Sequence, residues 1–117
     1  MLHREILLPL EVDHALIDAL LEDTCRREGL GIGLKAALRE YPGSMHWHWK
    51  RGKENGTLEA THWPSEGRLW LSVHENRAAP WTDSMTARLA LRLEAYRFPC
   101  RASSASACCR DTRAAQP

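Results

Sequence analysis

The chain has 117 residues, four cysteines and a formal net charge of +1, a size that fits one domain with its own hydrophobic core. Arg101, Arg110 and Arg113 near the C-terminus are offset only by Asp111, so the remainder sums to −1 and offers no bulk positive face to nucleic acid or an anionic membrane. With no long apolar run and no charged-then-apolar leader, neither a membrane span nor a signal peptide is expected, and the cytoplasm is the expected compartment.

In chain order, "HREILLP" is short, apolar-rich and closed by Pro9, which fits a strand. Asp13 then caps a helix to about Glu28, with Leu16, Ile17, Leu20, Leu21 and Cys25 on its apolar face and Asp18, Glu22, Asp23 and Arg26 toward water. Gly29 ends that helix. "GLGIG" (29–33) lacks the Lys-Ser/Thr of a phosphate loop and follows a helix, so it reads as a connection between helices. "LKAALREY" (34–41) is rich in helix formers and precedes Pro42-Gly43, which predicts a short second helix.

From Met45 to His74 the apolar period changes from 3.6 to 2, predicting three strands joined by turns at "KENG" and "PSEG". Thr82 or Asp83 is the expected cap of a last helix to about Arg97, with Met85, Leu89, Leu93 and Tyr96 on one stripe. Residues 99–117 are dense in Ser, Ala and Arg and are expected to form a disordered tail after a domain spanning 1–98. Cys25, Cys100, Cys108 and Cys109 show no C-x-x-C spacing and read as reduced thiols.

Apolar matching sets a register. Pairing Trp63 with Arg68 places Leu58 opposite Val73, and pairing Lys50 with Thr57 places Trp49 opposite Leu58 and Trp47 opposite Ala60. Both hairpins then agree on one core face: Met45, Trp47, Trp49, Leu58, Ala60, Leu69, Leu71 and Val73. A slip of one residue would invert all of them. The expected fold is α+β in the order β-α-α-β-β-β-α, a largely antiparallel sheet of about four strands with helices on the face of Trp47 and Trp49.

The opposite face collects His46, His48, Lys50, Thr57, Glu59, Thr61, Trp63, Arg68, Trp70, Ser72 and His74. Two large aromatics on a polar face point to a binding or self-association surface, with Trp63, Trp70, Arg68, Thr61, Ser72 and His74 as its residues and a homodimer or a small-molecule ligand as its partner. Arg68 also reads as a cation–π partner of Trp63.

His46, His48 and Glu59 give the chemical alternative, a small metal-dependent enzyme. His-x-His on a strand places two imidazoles about 6.5–7 Å apart at the backbone, with a carboxylate about 5 Å off on the next strand, a geometry that suits Zn²⁺ or Fe²⁺. No third histidine stands directly opposite Glu59, so the leading expectation is a module without a cofactor. The row His48, Glu59, Ser72 makes no catalytic triad, because its acid lies in the middle where the histidine must be. His62 reads as a satisfied core-edge histidine, and His3 and His14 have no evident role.

The Arg/Ser/Cys/Ala composition of the tail resembles that of small orphan proteins encoded by mobile integron gene cassettes, whose frames run into recombination-site sequence. That resemblance rests on about twenty residues and implies a compact α+β, often dimeric, protein with no transferable site.

Overall fold

The computed structural model describes residues 1–96. The expected tail, with Cys100, Cys108 and Cys109, lies outside the described residues, as do Arg97 and Phe98. The elements are β1 (Leu2–Ile6), α1 (Ile17–Arg27), β2 (Gly31–Ala36), β3 (Met45–Lys50), β4 (Leu58–Trp63), β5 (Arg68–Val73) and α2 (Pro80–Ala95), with 3₁₀ turns at His14–Leu16, Pro64–Glu66 and Glu75–Arg77. They form one antiparallel five-stranded sheet in the order β1-β5-β4-β3-β2, and the chain is α+β.

Both central hairpins take the register that apolar matching gives. Trp49 faces Leu58, Trp47 faces Ala60 and His48 faces Glu59. Across β4 and β5, Glu59 faces Ser72 and Trp63 faces Arg68. The helices cover the Trp47/Trp49 side: Ile17, Leu21 and Cys25 of α1 and Met85, Leu89 and Leu93 of α2 join Trp47, Trp49, Leu58, Leu69 and Leu71 in one buried cluster. Burial pushes the Cys25 thiol up to about 12, so it behaves as a small apolar side chain.

The expected second helix, 34–41, does not form: its first three residues end a strand that also takes in part of "GLGIG", and 37–41 are loop and turn. Gly31–Ala36 forms the sheet edge against β3, which gives five strands where about four were expected. The helix preference of Leu34, Lys35 and Ala36 amounts to a few tenths of a kcal/mol per residue, and the free edge of β3 supplies a ladder of backbone hydrogen bonds instead. A bulge lies at Gly33: Ile32 faces Trp49, and the next pair is Leu34 with His48. That extra residue reverses the parity beyond it. Lys35 therefore lies beside Trp47, where its Nζ is 5.8 Å from the ring centroid and 2.6 Å from Glu22. Glu22, expected in water, also accepts the Trp47 indole N–H at 2.8 Å.

The ends of α1 follow the sequence. Asp13 accepts from Ala15 N–H at 3.0 Å, and Gly29 takes φ +84° beyond the helix. Leu16, placed on the apolar stripe, is 42% exposed because it lies in the 3₁₀ turn preceding α1. The last helix starts earlier than Thr82 or Asp83. Pro80 takes its first position, and Thr82, inside the first turn, accepts from Ala79 N–H at 2.9 Å. Among the described residues no helix is long and apolar enough to cross a membrane.

Candidate metal centre on the helix-free sheet face

The face away from the helices divides into an aromatic end and a histidine end. At the aromatic end the turn after β2 folds over the sheet. Tyr41 lies 4.8 Å from Trp63 and 5.4 Å, edge-on, from Trp70 between ring centroids, and Trp63 donates its indole N–H to Pro42 O at 3.0 Å. Arg68 places its guanidinium 4.4 Å from the Trp70 ring centroid, not on Trp63. The reason is Glu5 on the neighbouring β1, which binds Arg68 with both oxygens at 2.8 and 3.0 Å. Trp70 is thereby only 7% exposed. Of the residues expected to form a docking surface, Trp70, Thr61 and Ser72 are buried, Trp63 is half-buried, and the side chains of Arg68 and His74 stay open to solvent.

At the other end, strand alternation aims His46 and His48 of β3 at the same face as Glu59 of β4. Glu59 is 5% exposed and its carboxylate is the hub. Its Oε1 lies 3.1 Å from His46 Nε2 and 3.8 Å from His48 Nε2, while its Oε2 lies 3.3 Å from His74 Nε2 and 3.6 Å from Arg77 Nη1. One ligating atom from each of His46, His48 and Glu59 falls within 4.8 Å of the other two. Neighbouring donors around a tetrahedral ion with bonds near 2.0–2.1 Å stand roughly 3.3 Å apart, so His46, His48 and Glu59 could hold one.

Burial lowers the proton affinity of His46 and His48 below that of an ordinary imidazole, against the opposing pull of Glu59, and the neutral ring is the form that binds metal. His46 Nδ1 is 2.8 Å from Thr61 Oγ1. With the proton on Nδ1, this contact orients the ring and turns the Nε2 lone pair toward the cluster, the tautomer that a metal ion selects. A cavity of about 360 Å³ opens beside it, lined by His48, Glu59, His74, Asn76 and Arg77.

His74, which alternation assigned to this face, stands one residue past β5 and diagonal to Glu59, which pairs with Ser72. Diagonal neighbours across a sheet, about 7–8 Å apart at the backbone, remain within reach of long side chains. It meets the second oxygen of Glu59 and lies outside the group formed by His46, His48 and Glu59. Arg77 and Asn76 come from a 3₁₀ turn that carries no periodic signal.

Comparison with family models, curated proteins and solved structures finds no match to this chain.

The other histidines have their own partners. His62, on the core side, places Nδ1 2.7 Å from Asp18 Oδ1 and Nε2 2.9 Å from His14 Nδ1, and it is 1% exposed. His3 meets Glu5 at 2.9 Å. Neither contributes to the Glu59 cluster.

Proposed function

We propose that the chain is a metal-dependent protein in which His46, His48 and Glu59 hold one divalent transition-metal ion. The observation carrying this reading is the convergence of His46 and His48 on one oxygen of the buried Glu59 carboxylate beside an open cavity. Two imidazole nitrogens and one carboxylate oxygen suit Fe²⁺ or Zn²⁺. An ion held there would have coordination positions left for water or a ligand, and would polarise a bound oxygen or lower the pKa of bound water, so the reading includes an enzyme acting on a small molecule in the cavity. The expected compartment is the cytoplasm, in keeping with the free thiol of Cys25.

Titration of the chelator-treated chain with Zn²⁺, Fe²⁺ or Co²⁺ tests it. One ion per chain, retained through dialysis and lost in His48→Ala, is the supporting result. Binding that is substoichiometric, or indifferent to His48→Ala, sinks the reading.

A homodimer is a second reading on a different observation from the covered tryptophans. Edge strand β2 leaves Ile32 and Leu34 38% and 43% exposed beside a backbone edge that pairs with no other strand among the described residues. Sedimentation equilibrium of wild type and Leu34→Lys decides it, since loss of a dimer in the variant is required.

A further inference from the structure

We propose that the cavity beside Glu59 takes a small carboxylate, one oxygen on the metal ion and the other on the guanidinium of Arg77. This rests on the metal reading above and adds the class of ligand.

The backbone of the Arg77 turn is fixed independently of its side chain. Arg77 N–H donates to His74 O at 2.9 Å, and Arg77 O accepts from Thr57 N–H at 3.0 Å, which ties the turn to the chain entering β4. From there Nη1 reaches 3.6 Å from Glu59 Oε2 and 3.5 Å from His48 Nδ1. A guanidinium so placed stands next to the metal ligands without being one, since it has no lone pair to give.

Charge then selects the ligand. With neutral imidazoles, Glu59 and Arg77 balance each other. A divalent ion claims Glu59 and leaves the cluster with about two surplus positive charges, in a partly buried site where water screens them weakly. An anion at the open coordination position relieves that surplus, and neutral ligands do not. The cavity wall is formed by His48, Glu59, His74, Asn76 and Arg77, which gives an apolar substrate little to bury against. A planar guanidinium beside a metal ion matches the two parallel oxygens of a carboxylate, one for each cation.

The test uses the full chain loaded with Co²⁺, whose visible absorption reports its coordination, titrated with acetate and separately with acetamide. Wild type is expected to show a saturable spectral change with acetate and none with acetamide. Arg77→Met is expected to weaken acetate roughly tenfold or more, the scale of one lost charge-assisted hydrogen bond, while Co²⁺ affinity is equal or higher because a nearby positive charge has gone. Arg77→Lys should recover part of the acetate affinity, and an unchanged melting temperature in both variants shows the turn intact. If acetate binds wild type and Arg77→Met equally, or if acetamide competes with it, the carboxylate proposal is overturned and the metal reading stands. If wild type takes up no Co²⁺, both fall.

Discussion

Glu59 Oε2 lies 3.3 Å from His74 Nε2, so the residue just past β5 meets the carboxylate oxygen other than the one beside His46 and His48. Four-ligand zinc sites are worth about 10–16 kcal/mol in small peptides, or about 3 kcal/mol per ligand. His46→Ala is therefore expected to weaken metal binding roughly a hundredfold, and His74→Ala far less, because His74 lies outside the group. Competition against a chromogenic chelator measures both. An equal loss in the two variants would add His74 to the ligand set.

The two core tryptophans give a paired stability prediction. Both are fully buried, but Trp47 donates its indole N–H to Glu22 at 2.8 Å, whereas Trp49 Nε1 has no hydrogen-bond partner among the described residues. An unsatisfied buried donor costs about 1–3 kcal/mol, so Trp49→Phe loses volume and relieves that cost at once. Trp47→Phe loses volume and also a hydrogen bond to the charged Glu22, which keeps its ion pair with Lys35. Urea unfolding is expected to show Trp47→Phe less stable than Trp49→Phe by about 1–2 kcal/mol; the reverse order would refute the assignment.

What the sequence made legible divides along the same lines. The β3-β4-β5 register was readable because each strand has one apolar and one polar face, and a slip would bury the wrong one. β2 has no such contrast: all six residues are exposed, so its only local signal was composition, which favoured helix. The group of His46, His48 and Glu59 was visible, since they share a cross-strand row or column. His74 was on the face but off the row. The cover of Tyr41 over Trp63 and Trp70 comes from a turn, whose path no periodicity encodes.

Acid should loosen the attachment of β1 to α2. Glu94 accepts from Leu7 N–H at 3.0 Å and from Arg4 Nη2 at 2.8 Å; the Leu7 amide first, and then Arg4, hold its carboxyl below the usual range against a small cost of burial. A depressed folded-state pKa contributes stability that is whole above the unfolded value, about 4.3, and is lost as pH falls through the lower folded value. Wild type is thus expected to exceed Glu94→Gln in denaturant midpoint at pH 6, with the gap closing as pH falls below the unfolded value. A gap independent of pH would show that the amide substitutes poorly for geometric reasons and that charge is not the cause.

The turn that enters β4 gives the sharpest test of packing. Gly56 takes φ +108°, and a Cβ there would stand 2.7 Å from Ala79 Cβ, 3.0 Å from Thr82 Cγ2 and 3.1 Å from Trp81 Nε1. Those three atoms belong to the start of α2, whose Trp81 is itself held by an indole hydrogen bond to Asn55 O at 2.7 Å. Neither side can give way easily. Gly52, in the same connection, also has a positive φ of +56°, but a Cβ there meets nothing within 4 Å. Gly52→Ala thus carries the left-handed backbone cost alone, about 1–2 kcal/mol, while Gly56→Ala adds overpacking of about 1–3 kcal/mol. The extra loss in Gly56→Ala is expected to lower the melting temperature roughly 5–20 °C below that of Gly52→Ala. Because Thr57 N–H, the next residue, holds Arg77 O, Gly56→Ala should also weaken acetate binding to the Co²⁺-loaded chain more than Gly52→Ala does. Equal melting temperatures in the two variants would mean that the β3–β4 connection does not pack on α2 as described.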